Sequence, residues 1–193
     1  MAQRFTQLEP DHLRFIARQP VFFVATAPLS PEGHVNVSPK GYDTFRVLSP
    51  AHVAYADLTG SGNETSAHLA ENGRITLLFL AFDGAPLILR IYGRGHTVLP
   101  GMPEWEPLAR RFTPLPGLRQ FVSVAVTDVK TSCGMGVPEM SLVRERSALL
   151  RWAERLGPAG LARYWREHNR TSMDGLDAPL AALLDGGAPP SAP

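Results

Sequence analysis

Short runs of β-branched and aromatic residues follow one another along this chain without crossover helices between them. Residues 21–26, 34–38, 45–48, 52–56, 74–80, 87–98 and 121–127 each have strand length and strand chemistry. Parallel strands would need a helical crossover between each pair, and the segments between these runs do not supply one regularly. The pattern therefore predicts a mainly β, α+β fold. It is an antiparallel barrel of about six to seven strands, with short flanking helices and a helical C-terminal segment.

The local punctuation supports this order. The run at 21–26 is followed by Pro28, Pro31 and Gly33, and then by the alternating His34-Val35-Asn36-Val37-Ser38, so the two runs form a β-hairpin that Pro39-Lys40-Gly41 ends. Thr6-Gln7-Leu8-Glu9 has capping-box form ahead of a short helix, with Leu13 and Ile16 three apart, Phe15 near the same face and Pro20 ending it. A second helix is expected over 63–71, stopped by Asn72-Gly73. A third is expected over 104–112. Glycines inside 87–98 mark a barrel corner or a bulge. Beyond Pro138, Leu142, Leu149, Leu150, Trp152, Leu156, Leu161, Tyr164 and Trp165 recur at helical spacing, as two helices joined at Gly157-Pro158. These features divide the chain into a barrel domain (1–140), a helical extension of that domain (141–185) and a disordered Gly/Ala/Pro/Ser tail (186–193).

Charge and cysteine usage exclude several functions. Nineteen basic residues against eighteen acidic ones leave a net charge of +1, too little for non-specific nucleic-acid binding. One cysteine, Cys133, rules out an internal disulfide framework and any all-thiolate metal site. The six histidines include no i, i+4 pair, and no carboxylate cluster accompanies them, so no metal is expected. The first twenty residues have no apolar signal-peptide core, and no stretch of eighteen apolar residues occurs, so a cytoplasmic protein without a membrane partner is expected. Seventeen of the basic residues are Arg. The two lysines are Lys40 and Lys130.

Three segments could carry chemistry. Thr59-Gly60-Ser61-Gly62-Asn63-Glu64-Thr65 follows a strand and opens a helix, with Ser61 and Glu64 at capping-box spacing. The unpaired amides of a first helical turn and the helix dipole suit a phosphate, although Ser and Asn also cap helices that bind nothing. The Gly-Lys-Ser/Thr ending of a Walker loop is missing. In Ser38-Pro39-Lys40-Gly41, Lys40 stands at a strand end, as a partner for a dianionic phosphate or as a solvated hairpin lysine. In Lys130 to Pro138, Cys133 is read as a small buried apolar residue rather than a reactive thiol. No Gly-x-Ser-x-Gly elbow is present, and no catalytic acid stands out. His34 and Tyr42 are candidates by location only.

Taken in order, these motifs resemble a known family. The series runs from Gly33-His34-Val35-Asn36-Val37-Ser38-Pro39-Lys40-Gly41 to Ala54-Tyr55-Ala56-Asp57-Leu58-Thr59-Gly60-Ser61-Gly62-Asn63-Glu64-Thr65. It continues with Asn72-Gly73-Arg74-Ile75, Leu89-Arg90-Ile91-Tyr92-Gly93 and Ser132-Cys133-Gly134-Met135-Gly136-Val137-Pro138. It is similar to the pyridoxamine 5′-phosphate oxidase-related FMN-binding split barrels over about residues 10–140. Asn169-Arg170-Thr171-Ser172-Met173-Asp174-Gly175-Leu176 resembles a tail motif of one uncharacterised branch.

The resemblance implies a split barrel that pairs with a second copy of itself and holds FMN in clefts at the subunit interface. It implies that Ser38, Pro39 and Lys40 border the cofactor and that Asp57, Leu58 and Thr59 line its ribityl path. Ser61, Gly62, Asn63 and Thr65 would surround the phosphate. Ser132, Cys133, Gly134 and Met135 would approach the ring from the partner. It also implies an oxidoreductase that moves hydride or electrons between a nicotinamide or other small-molecule donor and an acceptor. The alternative is a non-catalytic barrel that stores or senses flavin, deazaflavin or haem. Two departures bear on this. Asn63, Glu64 and Thr65 stand where the enzymes carry basic residues, which makes Glu64 a capping residue and leaves room for an Arg from elsewhere. The Arg-Leu-x-Pro-type ending of vitamer oxidases is replaced by Pro189-Pro190-Ser191-Ala192-Pro193, so vitamer oxidation itself is not expected.

Overall fold

The structure is a computed structural model that describes residues 2–189. Eight strands form one antiparallel sheet in the order β3-β2-β6-β7-β8-β5-β4, with β1 (Gln3–Phe5) also pairing with β8. The strands are β2 (Phe22–Thr26), β3 (Asn36–Lys40), β4 (Phe45–Ser49), β5 (His52–Leu58), β6 (Arg74–Leu80), β7 (Ile88–Val98) and β8 (Leu118–Ser132). The end strands β3 and β4 do not pair with each other, so the barrel is open, as a split barrel is. Sequence reading missed β1, a three-residue strand too short to show a period.

Alternation along the central strands serves two cores. Val53 and Tyr55 of β5 face a core with Phe22, Val24, Leu77, Phe79, Leu89, Ile91, Val122 and Val124. Ala54 and Ala56 face the other way, toward Val98, Leu99, Phe112, Phe121 and Leu180. One strand buried on both faces is what a nearly continuous apolar run encodes.

The bulge expected in the long seventh strand falls between Tyr92 and Gly93, where the register against β8 shifts. A Cβ at Gly93 would lie 2.4 Å from the Ala125 carbonyl oxygen, so this crossing needs glycine.

The helices are α1 (Pro10–Ile16), α2 (Glu64–Asn72), α3 (Trp105–Ala109), α4 (Ala148–His168) and α5 (Leu180–Leu184). Gly157, at φ 63°, breaks α4 at the expected joint, and Gly73, at φ 66°, ends α2. Several details differ from expectation. The N-cap of α1 is Glu9 rather than Thr6, and the Glu9 amide donates to His12 Nδ1 at 3.0 Å. The buried face of α1 is His12, Phe15 and Ile16, while Leu13 is exposed. α2 begins at Glu64, with Asn63 rather than Ser61 as its N-cap. Pro39 and Lys40 extend β3 instead of ending it, because β3 is an edge strand and loses little by lacking one amide donor. Cys133 is exposed, not buried, because it follows the end of β8 on a loop.

The C-terminal segment packs on the barrel. Leu180 lies in the second core, with Trp165, Leu183 and Leu184 against it. Of the expected tail 186–193, residues 190–193 lie outside the described residues.

Candidate functional site

Edge strand β3, the end of β5, the loop into α2 and the start of β8 meet around a cleft of about 330 Å³. Its walls include Ser38, Pro39 and Lys40 on one side and Gly60 to Thr65 on the other, with Asp57 and Arg119 at its base. Thus two motifs some twenty residues apart in sequence become facing walls. The β2–β3 hairpin supplies one, and the β5–α2 turn supplies the other.

The base is a buried ionic network. Lys40 Nζ donates to Asp57 Oδ1 at 2.7 Å, while Arg119 Nη2 and Gln120 Nε2 donate to Oδ2 at 2.7 and 2.8 Å. Burial alone would raise the Asp57 pKa. The adjacent Lys40 and Arg119 charges and their hydrogen bonds outweigh it and hold the carboxyl well below the usual carboxylate range. Lys40 is therefore not a free ammonium awaiting a ligand. It is tied to Asp57, with its side chain only 22% exposed.

Arg119 is held on three sides. Nη1 donates to the Gly62 carbonyl at 2.9 Å and to Asn169 Oδ1 at 2.8 Å, and Nη2 is bound to Asp57. Its Nε has no acceptor among the described residues, and neither does the hydroxyl of Ser38 have a partner. A guanidinium this buried keeps an unpaired donor at a cost. The amides at the start of α2 have no intrahelical acceptor. Thr65 Oγ1 accepts from Asn36 Nδ2 at 3.1 Å, which leaves its own proton to donate. Lys40 and Arg119 are matched in number by Asp57 and Glu64, so the cleft offers directed donors rather than excess charge.

Glu64 does not cap α2 by reaching back to Ser61. Its two carboxylate oxygens accept from the Met173 amide at 3.2 and 3.0 Å. Other contacts bind the same C-terminal segment to the cleft walls. Asn63 Nδ2 donates to the Asn169 carbonyl at 3.2 Å, and Asn169 Nδ2 donates to the Gly60 carbonyl at 3.1 Å. Asp174 accepts from the His34 amide at 2.8 Å and meets His34 Nδ1 at 2.6 Å. His34 thus anchors this segment. Tyr42 donates its hydroxyl to the Arg146 carbonyl at 2.5 Å.

The residues singled out in the sequence separate into two groups. Ser38, Pro39, Lys40, Asp57, Ser61, Gly62, Asn63 and Thr65 all line the cleft. Leu58 and Thr59 are buried behind it, where Thr59 Oγ1 donates to the Gly117 carbonyl at 2.8 Å and accepts from Trp165 Nε1 at 2.9 Å. Ser132 to Met135 do not line it. Ser132 accepts from Arg90 Nη1, Gly134 abuts the Leu87 backbone, and Cys133 and Met135 are exposed. Sequence reading missed Arg119, Gln120 and Asn36. The first two sit at the polar start of β8, ahead of its clean alternation, and Asn36 reads as an ordinary outward strand residue.

Comparison with known proteins agrees with this architecture. The family model "Pyridoxamine 5'-phosphate oxidase" matches residues 8–133. A curated relative, the pyridoxamine 5'-phosphate oxidase family protein ustO of Aspergillus flavus, is 38% identical over 195 residues, covering 92% of this chain and 78% of the relative. Among solved structures, a Group A Streptococcus HupZ variant superposes with a TM-score of 0.52 at 19% identity, covering 64% of this chain and 98% of that one. A putative pyridoxamine 5'-phosphate oxidase from Lactobacillus delbrueckii superposes with a TM-score of 0.50 at 16% identity, covering 65% and 94%. The two structures establish likeness of fold alone. The family match spans every strand from β2 to β8 and both cleft walls, and on it, together with the curated relative, the chain belongs to the pyridoxamine 5'-phosphate oxidase family.

Proposed function

We propose that the cleft binds the phosphate end of FMN and that the protein is an FMN-dependent oxidoreductase acting as a homodimer in the cytoplasm. The observation that carries this reading is the unpaired Nε of buried Arg119, set at the base of a cleft walled by the first turn of α2. A phosphate monoester has the several acceptor oxygens that such a donor set can satisfy together. When bound, FMN supplies hydride or single-electron transfer. Arg119, Thr65, Ser38 and the amides of Glu64 to Ser66 would hold its phosphate. Asp57 holds Arg119 and Lys40 in place.

Family membership supports the dimer, as do exposed apolar side chains on the hairpin and beyond β8. Val35 and Val37 on the hairpin are 69% and 62% exposed, and Met135, beyond β8, is 81% exposed. A partner covering these residues could bring its Ser132 to Met135 segment toward the cofactor ring. We take 141–185 as part of the same domain, because Trp165 and Leu180 complete contacts with the barrel rather than with each other alone. Among the described residues, no helix is long and apolar enough to cross a membrane.

The test is to purify the protein, record its spectrum and identify by mass spectrometry what it releases on denaturation. Released FMN that a nicotinamide donor bleaches is the expected result. Bound FMN that no donor reduces would make the protein a binding or storage barrel. A Soret band would replace flavin with haem.

A further inference from the structure

We infer that Asn169 is a positioning residue for the anion cleft, acting through Arg119. This rests on the proposal that the cleft receives a phosphate group. Asn169 is fully buried and lies just beyond the end of α4, far in sequence from either cleft wall. Its amide donates to the Trp165 carbonyl at 2.9 Å, but its side chain and its carbonyl are bound to the cleft's base and walls. Oδ1 accepts from Arg119 Nη1 at 2.8 Å, Nδ2 donates to the Gly60 carbonyl at 3.1 Å, and its own carbonyl accepts from Asn63 Nδ2 at 3.2 Å.

These three contacts fix the parts of the cleft that matter for an anion. Arg119 has five donor hydrogens in a rigid plane. Asp57 and the Gly62 carbonyl hold two edges of that plane, and Asn169 supplies a further acceptor that fixes its rotation. The one nitrogen left without an acceptor among the described residues is Nε. Asn169 also ties the loop at Gly60 through its side chain and the α2 N-cap at Asn63 through its backbone carbonyl, so guanidinium and helix start are held by one residue. Met173 extends the device by holding the Glu64 carboxylate through its amide. An acidic group at the mouth of an anion site is thereby given a fixed donor.

The test compares FMN with riboflavin, which lacks the phosphate, by titrating each into flavin-free protein. Asn169→Ala should weaken FMN by about tenfold and riboflavin by less than about twofold. Asn169→Leu, which keeps the branched outline of Asn without its polar groups, serves the same purpose if the alanine variant does not fold. Asn169→Asp keeps the acceptor for Arg119 but adds a negative charge and loses the donor to Gly60, so it should also lower the FMN-to-riboflavin affinity ratio. In an Arg119→Met background, Asn169→Ala should change that ratio no further. Equal losses for both flavins, or full additivity with Arg119→Met, would overturn the inference. If wild type binds neither flavin, the flavin reading fails, and inorganic phosphate becomes the probe. Phosphate should then raise the melting temperature of wild type but not of Asn169→Ala. No rise in either protein, or an equal rise in both, would overturn the positioning role as well.

Discussion

Arg119 and Asp57 meet at 2.7 Å with both side chains only 3% exposed, and this pair forms the floor of the cleft. A buried pair is expensive to break on one side only. Asp57→Asn should therefore destabilise the fold by about 3–5 kcal/mol, because Arg119 then stays buried without its counter-ion. Replacing the network together (Asp57→Leu with Arg119→Met and Lys40→Met) should cost less than the single change. Urea unfolding of the two variants beside wild type decides it. A single variant less than about 1 kcal/mol below wild type would mean the pair is not desolvated as the structure places it.

The same carboxylate predicts an acid limit. Its folded pKa is depressed, because Lys40 and Arg119 outweigh the effect of burial. A depressed acid contributes stability that is full above its unfolded value and is lost as pH falls through the folded one. The loss should begin just below the ordinary value of 3.8 and continue downward, since the unfolded chain takes up the proton first. The urea midpoint of wild type should fall on acidification through this window. That of Asp57→Asn should fall less steeply. Parallel pH slopes for the two proteins would contradict the assignment.

The cleft also predicts how two ligands separate. Thr65→Val removes a hydroxyl donor from the α2 wall, and Lys40→Met removes a charge that acts on the cleft through Asp57. Together they should weaken FMN by about tenfold or more and leave riboflavin within a fewfold. Fluorescence titration of both flavins measures this, and equal weakening would place the phosphate elsewhere.

Much of the fold was legible because strand chemistry and glycine punctuation are local. The run at 74–80 became β6 over the same residues, and Gly73 and Gly157 interrupt the backbone where they were expected to. The two cleft walls were legible as motifs for the same reason. What held them together was not. Arg119 is one of seventeen arginines, and nothing near it in sequence distinguishes a buried guanidinium from a solvated one. Lys40 looked free because its partner, Asp57, lies seventeen residues on and meets it only through the sheet. Glu64 fitted a capping box by spacing, yet its acceptor capacity is taken by an amide 109 residues away. Long-range polar pairing leaves no periodic trace for a sequence reading to find.

The exposed valines of the hairpin give a prediction for assembly. Val35 and Val37 lie on and beside edge strand β3, where carboxylates would cost little in a monomer but much in a covered apolar interface. Sedimentation should find wild type as a dimer. Val35→Asp combined with Val37→Asp should shift it to monomer with its melting temperature little changed. A dimer that tolerates both charges would move the interface off this face.

Gly93 tests the geometry of the sheet itself. It sits at the register shift between β7 and β8, where a Cβ would meet the Ala125 carbonyl oxygen at 2.4 Å and Val124 Cγ1 at 2.6 Å. The first of these atoms is backbone inside an antiparallel ladder and cannot move without opening the sheet. Gly93→Ala should therefore cost about 2 kcal/mol or more, at the upper end of overpacking effects. Gly136, which has nothing within 4 Å of a built Cβ, is the matched control. Gly136→Ala should stay within about 0.5 kcal/mol of wild type. Thermal unfolding of the pair compares them directly. A Gly93→Ala variant as stable as the control would mean that the two strands do not approach this closely at the bulge.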